Sequence, residues 1–377
     1  MARLHHLDWR LPILAASAAM LMGFATARAD IKIGAFGPMT GDAAGYGQSL
    51  REVVDLVVKE KNAAGGVLGQ KIVVIYGDDA GKPEQAVNVA KRLTTGDEVL
   101  IMLGSISSPA SFAASQVALQ NETPQLVISG TAQRITTQGN PWVFRSALPD
   151  TKFAADLVDF IAEKFPDKKK VAFIHVNDDF GKGGLDGFKK RGDPLGFKIV
   201  TEEKYTRGDL DFTSQLSRIK ASGADLMVDW SRYAEGALIV KQMKQMGVNL
   251  LYFGSDGQAH PKFVELAGSA AEGLYYPTHF SVTAVGGNKV AEAFVAKIRS
   301  AYNKDADFVH AQGYDAMLAT LQAIEKAGAA DRTKVRDALR KVEFDGVRGR
   351  FKFDEKGDPT LQATVVIIKD GKEANAR

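Results

Sequence analysis

The segment Val99-Leu-Ile-Met-Leu-Gly-Ser-Ile-Ser-Ser-Pro-Ala-Ser111 combines an apolar run, a turn and the start of a helix. The run Val99 to Leu103 predicts a strand that is buried on both faces. The serine-rich turn and Pro109 then predict a helix, because Ser caps helices and Pro suits their first turn. Such a helix, at the carboxyl end of a buried strand, offers unpaired N–H groups and a partial positive charge. We therefore expect Ser107 and Ser108 to form a seat for a carboxylate or a phosphate.

The same arrangement recurs along the chain. Short apolar runs alternate with helical segments from residue 31 onward, which predicts βαβ units and parallel sheets. The strand that follows the serine-rich helix also ends in small hydroxyl residues, Ser129-Gly-Thr-Ala132. In the second half, predicted strands end in Trp230-Ser-Arg-Tyr233 and Gly254-Ser-Asp-Gly257. Since no flexible linker separates the halves, we expect two similar α/β lobes whose loops face each other across a cleft.

Length and composition narrow the possible classes of protein. The chain has 377 residues, of which 45% are hydrophobic and 25% charged, and its formal net charge is +3. This length favours two domains. Lysine and arginine are interleaved with aspartate and glutamate, so no basic block predicts a nucleic-acid partner.

Residues 1–29 predict a secretory signal peptide. Arg3 and Arg10 precede an apolar stretch from Leu11 to Ala25, and Ala27-Arg-Ala29 gives a small-residue cleavage site. The apolar stretch is too short to span a membrane. The chain has no cysteine, so no lipid can be attached at the new N-terminus. We expect cleavage after Ala29 and a soluble periplasmic protein that is not a lipoprotein.

The motifs of common enzyme classes are absent from the sequence. No G-x-S-x-G, H-E-x-x-H or C-x-x-C motif occurs, and Gly77 to Pro83 only faintly resembles a phosphate-binding loop. Outside the predicted signal peptide, the histidines lie far apart in sequence, which predicts no metal site and no cofactor. A binding protein is therefore favoured over an enzyme, with a hydrolase or amidase as the lesser alternative.

Several motifs spread over the chain carry a family resemblance. They include Ile31-Lys-Ile-Gly-Ala-Phe-Gly-Pro-Met-Thr-Gly41, Asn62-Ala-Ala-Gly-Gly66, the segment from His175 to Gly181, Ala271-Glu-Gly-Leu274 and Phe353-Asp-Glu-Lys-Gly-Asp358. Together they resemble the periplasmic solute-binding proteins of ABC transporters, of the branched-chain amino-acid (Leu/Ile/Val) type. This resemblance implies a two-lobed type I periplasmic-binding-protein fold of the α/β class. Each lobe would be a mostly parallel sheet flanked by helices, with three crossovers between the lobes.

The resemblance also implies how the chain divides. Lobe 1 is expected to contain residues 30–149 and 278–350, and lobe 2 residues 150–277 and 351–377. Within the tail, Gly349 to Lys369 predicts two strands around a hairpin-type turn at Asp354 to Gly357.

The resemblance assigns roles to residues at the strand ends. Ser108, with Ser107 beside it, matches the position that binds a ligand carboxylate, and Ser129, Gly130, Thr131 and Ala132 match the other half of that seat. Asp256 resembles the acidic residue that pairs with a ligand ammonium group. Tyr46 and Phe180 resemble aromatic walls of the pocket, and Trp230, Arg232 and Tyr233 occupy a loop where the family places a ligand-facing aromatic residue.

These roles imply an ABC-importer component that delivers an amino acid, with branched-chain or hydrophobic ones preferred, to permease and ATPase subunits. The sequence also departs from the family's pattern, because Trp230 and Arg232 stand where small residues or Tyr are common. An alternative ligand is therefore an aromatic or other organic carboxylic acid, paired with Arg232 and stacked on Trp230. A sensory domain that reports a ligand to a receptor is a third possibility.

Overall fold

The computed structural model describes residues 1–2 and 29–376. The predicted signal peptide, residues 1–29, falls outside the described residues except at its two ends. None of the helices in the described ranges is long and apolar enough to cross a membrane.

The first part of the chain builds a five-stranded parallel sheet in the order β2-β1-β3-β4-β5. Its strands are β1 (Ile31–Gly37), β2 (Ile72–Asp78), β3 (Ile101–Leu103), β4 (Gln125–Val127) and β5 (Val143–Arg145). The helices that alternate with them are α1 (Ala44–Ala63), α2 (Pro83–Lys91), α3 (Ser108–Gln120) and α4 (Arg134–Thr137). The sheet is almost entirely buried in its centre, which explains the continuous apolar runs of β1 and β3.

The alternation then restarts and builds most of a second sheet. Its elements are α5 (Asp150–Lys164), β6 (Lys170–Val176), α6 (Asp179–Gly192), β7 (Lys198–Tyr205), α7 (Thr213–Ala221), β8 (Leu226–Trp230), α8 (Tyr233–Gln245), β9 (Leu251–Gly254), α9 (Pro261–Ala267) and β10 (Tyr275–Thr278). The strands β7, β6, β8, β9 and β10 are neighbours in this order and are parallel.

The chain then returns to the first lobe before it ends in the second. The helices α10 (Lys289–Tyr302), α11 (Phe308–Ala327) and α12 (Arg332–Leu339) precede a hairpin of β11 (Glu343–Gly346) and β12 (Gly349–Lys352). Helix α11 packs against α1, and α12 packs against α11. The last strands, β13 (Thr364–Lys369) and β14 (Lys372–Asn375), add antiparallel to β10 and complete a seven-stranded sheet. The predicted two-lobed α/β fold with mostly parallel sheets is confirmed.

The tail differs from its predicted form. A turn forms at Asp354–Gly357 as expected, but β12 pairs with β11 rather than with β13, which pairs with β10 and β14. The predicted lobe boundary after residue 350 falls inside β12, and the ring of Phe353 lies 5.2 Å from that of Phe144 in lobe 1. The physical reason is that β11 ends only a few residues before β12 and forms an antiparallel hairpin with it, whereas β13 lies further along the chain. We place the last crossover between Asp358 and β13; the other predicted boundaries stay predictions.

Helix α1 begins earlier than the sequence indicates. In the sequence, the glycine-rich stretch of residues 37–47 favours a loop and a helix that begins at Ser49, whereas α1 begins at Ala44. A Cβ atom at Gly47 would lie 2.2 Å from the carbonyl oxygen of Pro38. This glycine therefore allows a close approach of helix and loop rather than a flexible turn.

One buried ion pair joins the end of β5 to the last crossover. Arg145 has a fully buried side chain, and its Nε and Nη2 donate to Oδ1 of Asp358 at 2.9 and 2.7 Å. Its Nη1 donates to the carbonyl oxygens of Gly130 and Ala132 at 3.2 and 3.0 Å. Arg145 thus holds the loop after β4 in place while it anchors the tail.

We predict that Asp358→Ala lowers the free energy of unfolding by about 3 kcal/mol, because the substitution leaves the guanidinium of Arg145 buried without its counter-charge. Urea denaturation of the purified protein measures this change. Asp186→Ala is a matched control that removes an exposed ion pair with Lys182, and it should change stability by less than about 1 kcal/mol. Equal effects of the two substitutions would contradict the anchoring role of Asp358.

Candidate ligand-binding site

A small cavity of about 30 Å³ lies between the carboxyl edges of the two sheets. Residues of both lobes line it: Tyr46, Ile106, Ser108, Ser129, Phe180, Arg232, Asp256, Gly257 and Phe308. Six of these were predicted as ligand-binding residues from the sequence: Tyr46, Ser108, Ser129, Phe180, Arg232 and Asp256. The volume is far below the roughly 300 Å³ typical of the smallest ligand pockets, so a ligand enters only when the lobes or side chains move apart.

Ser108 is the first residue of α3 and points its hydroxyl group at the loop after β4. The N–H groups of Thr131 and Ala132 donate to its Oγ at 3.0 and 3.2 Å. Because Oγ accepts both bonds, the hydroxyl proton remains available as a donor. Ser107, the N-cap of α3, has a buried Oγ without a hydrogen-bond partner. The predicted seat is thus a set of donors at a helix N-terminus.

The predicted residues Gly130, Thr131 and Ala132 stand behind Ser108 and do not themselves line the cavity. They hold the seat in shape: the carbonyl oxygen of Thr131 accepts from the N–H of Asp150 at 2.8 Å. Gly130 leaves no room for a side chain, because a Cβ there would lie 2.7 Å from Oγ of Ser111. Ser129, which does line the cavity, is hydrogen-bonded to Gln312 on α11.

Asp256 faces the cavity from lobe 2 and is 3% exposed. Its Oδ1 is buried and has no hydrogen-bond partner. Burial raises the pKa of Asp256 to about 7, although nearby backbone N–H groups and Arg232 oppose the shift. Burial, followed by the charge of Asp256, also raises the pKa of Asp150 well above its usual range. Two buried acidic groups therefore act on each other beside the cavity, an arrangement that a cation would stabilise.

Arg232 is the N-cap residue of α8 and its guanidinium is buried at the cavity. Its Nη2 donates to Oδ2 of Asp178 at 2.9 Å. Burial alone would raise the pKa of Asp178, but the charge of Arg232 and hydrogen bonds from Phe180 and Gly181 hold it below its ordinary value. This carboxylate is therefore ionised at neutral pH and fixes the guanidinium.

Trp230 does not line the cavity, so its expected role as a ligand-stacking residue is wrong for this arrangement. As the last residue of β8 it points into the lobe-2 core, is 0% exposed, and its ring fills the space beside Gly184. Its indole N–H donates to Oδ1 of Asp150 at 3.1 Å. Tyr233 also lies outside the cavity lining, where its ring stacks on His260 at 5.0 Å.

Several contacts join the two lobes across the cleft. The hydroxyl of Tyr46 donates to the carbonyl oxygen of Gly257, and the N–H of Gly45 donates to the hydroxyl of Tyr233 at 3.2 Å. At the rim, Arg207 of lobe 2 donates to Oδ1 of Asp42 and to the carbonyl oxygen of Gly81, both at 2.7 Å. A second rim ion pair joins Arg134 of α4 to Asp179 of α6. The structure is therefore a closed form.

Comparison with known proteins decides the family. A family model described as periplasmic binding protein matches residues 30–373. The chain belongs to the periplasmic binding protein family. A Pseudomonas aeruginosa protein named leucine-, isoleucine-, valine-, threonine-, and alanine-binding protein is 32% identical over 91% of both chains. A Brucella melitensis Leu/Ile/Val-binding protein homolog is 30% identical, over 90% of this chain and 92% of its own. The resemblance to the Leu/Ile/Val type is thus confirmed.

Solved structures agree with this family. A leucine-binding protein, LivK, from Thermotoga maritima has 31% identity and a TM-score of 0.87, covering 92% of this chain and 98% of its own. LivJ from Streptococcus pneumoniae, solved with isoleucine, has 30% identity and a TM-score of 0.84, with coverages of 91% and 97%. A Rhodopseudomonas palustris solute-binding protein in complex with 3,4-dihydroxybenzoic acid has 26% identity and a TM-score of 0.83, with coverages of 92% and 95%.

Four residues of this binding protein's site were missed in the sequence. Asp150 follows β5 at the same sheet edge, so the rule that identified Ser108 would have found it if the short strand β5 had been recognised. Ile106 and Gly257 lie within motifs already singled out. Phe308 begins α11 after the short connection of residues 303–307, and no strand end marks it. Among the described residues, no group of three or more acidic, histidine or cysteine side chains is placed to hold a metal ion.

We predict that ionisation of Asp256 makes the free protein less stable as the pH rises from 5 to 8. Its pKa of about 7 in the folded state exceeds the value of about 3.9 in an unfolded chain, so the folded state binds more protons in this window. Relative to Asp256→Asn, the wild type should lose about 2.5 kcal/mol of unfolding free energy over that range. Urea denaturation at both pH values measures this loss.

The exposed Asp186 gives the control, since Asp186→Asn should follow the wild type at every pH. A wild type and an Asp256→Asn variant whose stabilities change in parallel with pH would contradict the assignment.

Proposed function

We propose that this protein captures an amino acid between its lobes and delivers it to the permease of an ABC importer. The observation that carries the proposal is that Ser108 and Asp256 face one cavity from opposite lobes. One offers a donor for a carboxylate and the other an unpaired acidic oxygen for an ammonium group. Every α-amino acid carries a carboxylate and an ammonium group on the same carbon atom, so one such ligand can bind both sides of the cavity.

The carboxylate end is supported by the donors at the start of α3. The hydroxyl proton of Ser108 is free because its oxygen already accepts from two backbone N–H groups. The helix N-terminus adds partial positive charge at the same point. A ligand carboxylate would therefore receive charge-assisted hydrogen bonds, which contribute about 1.5–3 kcal/mol each.

The ammonium end is supported by the environment of Asp256. Its Oδ1 is buried without a partner, and an unpaired buried carboxylate is unfavourable. A ligand ammonium group would restore its ionised form by pairing with it.

The walls of the cavity favour a branched-chain or hydrophobic side chain. Ile106, Phe180, Phe308 and the ring of Tyr46 line it. The relatives that are named for leucine, isoleucine and valine give the same preference. A ligand held by both lobes would stabilise the closed form over the open one, because its contacts with the two lobes exist together only on closure.

The second candidate ligand is an organic carboxylic acid without an amine, paired with Arg232. A free Nη1 on this buried residue and the relative solved with 3,4-dihydroxybenzoic acid favour it. Against it, Trp230 is occupied in the lobe core by its bond to Asp150, so the stacking partner expected for an aromatic ring is missing. Such a ligand would also leave Asp256 unpaired.

Binding tests decide between these candidates. Thermal-shift and calorimetric titrations with the twenty amino acids, benzoates and short dicarboxylic acids should give binding by amino acids. Ser108→Ala should weaken that binding at least tenfold, about 1.4 kcal/mol, through loss of the hydroxyl donor. Ser115→Ala is the control, because Ser115 lies on the same helix but donates to the carbonyl oxygen of Phe112.

Stabilisation only by acids that lack an amine would overturn the amino-acid proposal. Chemical change of the bound ligand, measured by mass spectrometry after incubation, would instead support the hydrolase alternative.

We also propose that the protein is exported to the periplasm, cleaved after Ala29 and not lipidated, as residues 1–29 and the absence of cysteine indicate. Expression of the full chain in a Gram-negative host should yield a periplasmic protein whose N-terminal residue is Asp30. N-terminal sequencing measures this directly. Retention in the cytoplasm with an intact leader would contradict the proposal.

A further inference from the structure

Arg232 has a hydrogen-bonding group that the binding of a leucine, isoleucine or valine would leave unused. The residue is 8% exposed and lines the cavity. Its Nη2 donates to Asp178, but Nη1 is buried and has no hydrogen-bond partner. Burying a charged donor without an acceptor is unfavourable, and an apolar ligand side chain packed against Nη1 would leave it without one.

The guanidinium is held in one orientation. Asp178, which is itself fixed as the N-cap of α6 by accepting from Phe180 N–H and Gly181 N–H at 2.9 and 3.1 Å, binds one side of it. The ring centroid of Phe180 lies 5.1 Å from its central carbon. Because this placement precedes ligand binding, a ligand acceptor would gain the bond without the cost of ordering the arginine.

We propose that the preferred ligand is an amino acid of branched shape in which one branch ends in an uncharged oxygen, and that this oxygen accepts a hydrogen bond from Nη1 of Arg232. This inference rests on the proposed function, because it assumes that Ser108 and Asp256 hold the α-carboxylate and α-ammonium groups. The apolar walls then contact the rest of the side chain.

The charges around Arg232 favour an uncharged acceptor over a second carboxylate. Asp178 already neutralises the guanidinium at contact distance. Glu235, Asp42 and Asp256 also act on its charge. A ligand carboxylate would enter this acidic surrounding and meet their repulsion, whereas a carboxamide or hydroxyl oxygen would accept the bond without it.

Isosteric ligand pairs test the proposal by calorimetry. Threonine and valine differ only by a hydroxyl in place of a methyl group, and asparagine and leucine by a carboxamide in place of an isopropyl group. In at least one pair, the oxygen-bearing member should bind the wild type about tenfold or more tightly, since a hydrogen bond to a charged donor is gained. Aspartate should bind more weakly than asparagine.

Arg232→Lys is the main variant, because lysine keeps the charge and can still pair with Asp178 but lacks the second nitrogen of the fork. The preference within that pair should fall to less than threefold. Arg207→Lys is the matched control: Arg207 is likewise an arginine paired with an aspartate, in its case across the lobes, but it does not line the cavity. It should change the affinity for both members of a pair equally. Should Arg232→Lys fail to fold, the double variant Arg232→Met/Asp178→Asn removes the pair without leaving a lone charge.

The possible outcomes distinguish a failure of this inference from a failure of the proposed amino-acid binding function. Equal or weaker binding of threonine than valine and of asparagine than leucine overturns the inference but leaves the amino-acid function in place. Tighter binding of aspartate than asparagine overturns the uncharged acceptor. Failure of every amino acid to bind overturns the proposed function and the inference with it.

Discussion

The guanidinium of Arg145 connects β5 and the loop after β4 to the tail of the chain, since its partner Asp358 lies 213 residues further along the sequence. Arg145 is the last residue of β5. Its guanidinium pairs with Asp358 at the last crossover and donates to carbonyl oxygens in the loop of residues 130–132. That loop in turn supplies the N–H groups that orient the hydroxyl of Ser108. A charge buried in this way is stable only while all its partners are present. The geometry of the proposed carboxylate seat in lobe 1 therefore depends on the tail of the chain having crossed back correctly.

The two lobes contribute opposite kinds of chemistry to the cavity. Lobe 1 presents donors, the N-terminus of α3 and Ser108, at the end of a parallel strand. Lobe 2 presents the unpaired carboxyl group of Asp256, beside the guanidinium of Arg232 that pairs with Asp178. Parallel sheets place their carboxyl ends at one edge, so closing one lobe on the other brings the donors of α3 against the carboxyl group of Asp256. A molecule that carries both charges satisfies the two together.

Residues at predicted strand ends could be located from sequence, and the direction of their side chains could not. Ser108 follows a buried apolar run, and the physics of a capped helix start is local, so its place at the cavity was predictable. Trp230 also stands at a strand end, but it is the last residue of β8, and its side chain points to α6, where Gly184 leaves space. Arg232, two residues later, points to the cavity. The packing of helix α6 against β8 decides which way the side chain of Trp230 points, and Gly184 of α6 lies about fifty residues away in sequence. Phe308 and the pairing of β12 with β11 were missed for the same reason, since both depend on tertiary contacts.

The rim contacts of Arg207 with Asp42 and Gly81 lie outside the cavity, yet they exist only when the lobes meet. Some of the free energy of closure is therefore supplied by the protein itself. Substitutions at the rim would change the fraction of molecules in the closed form and hence the apparent affinity for every ligand by the same factor. Ion pairs that are partly exposed are also screened by salt. Capture would accordingly weaken as ionic strength rises, while the choice among ligands, which is set inside the cavity, would stay the same.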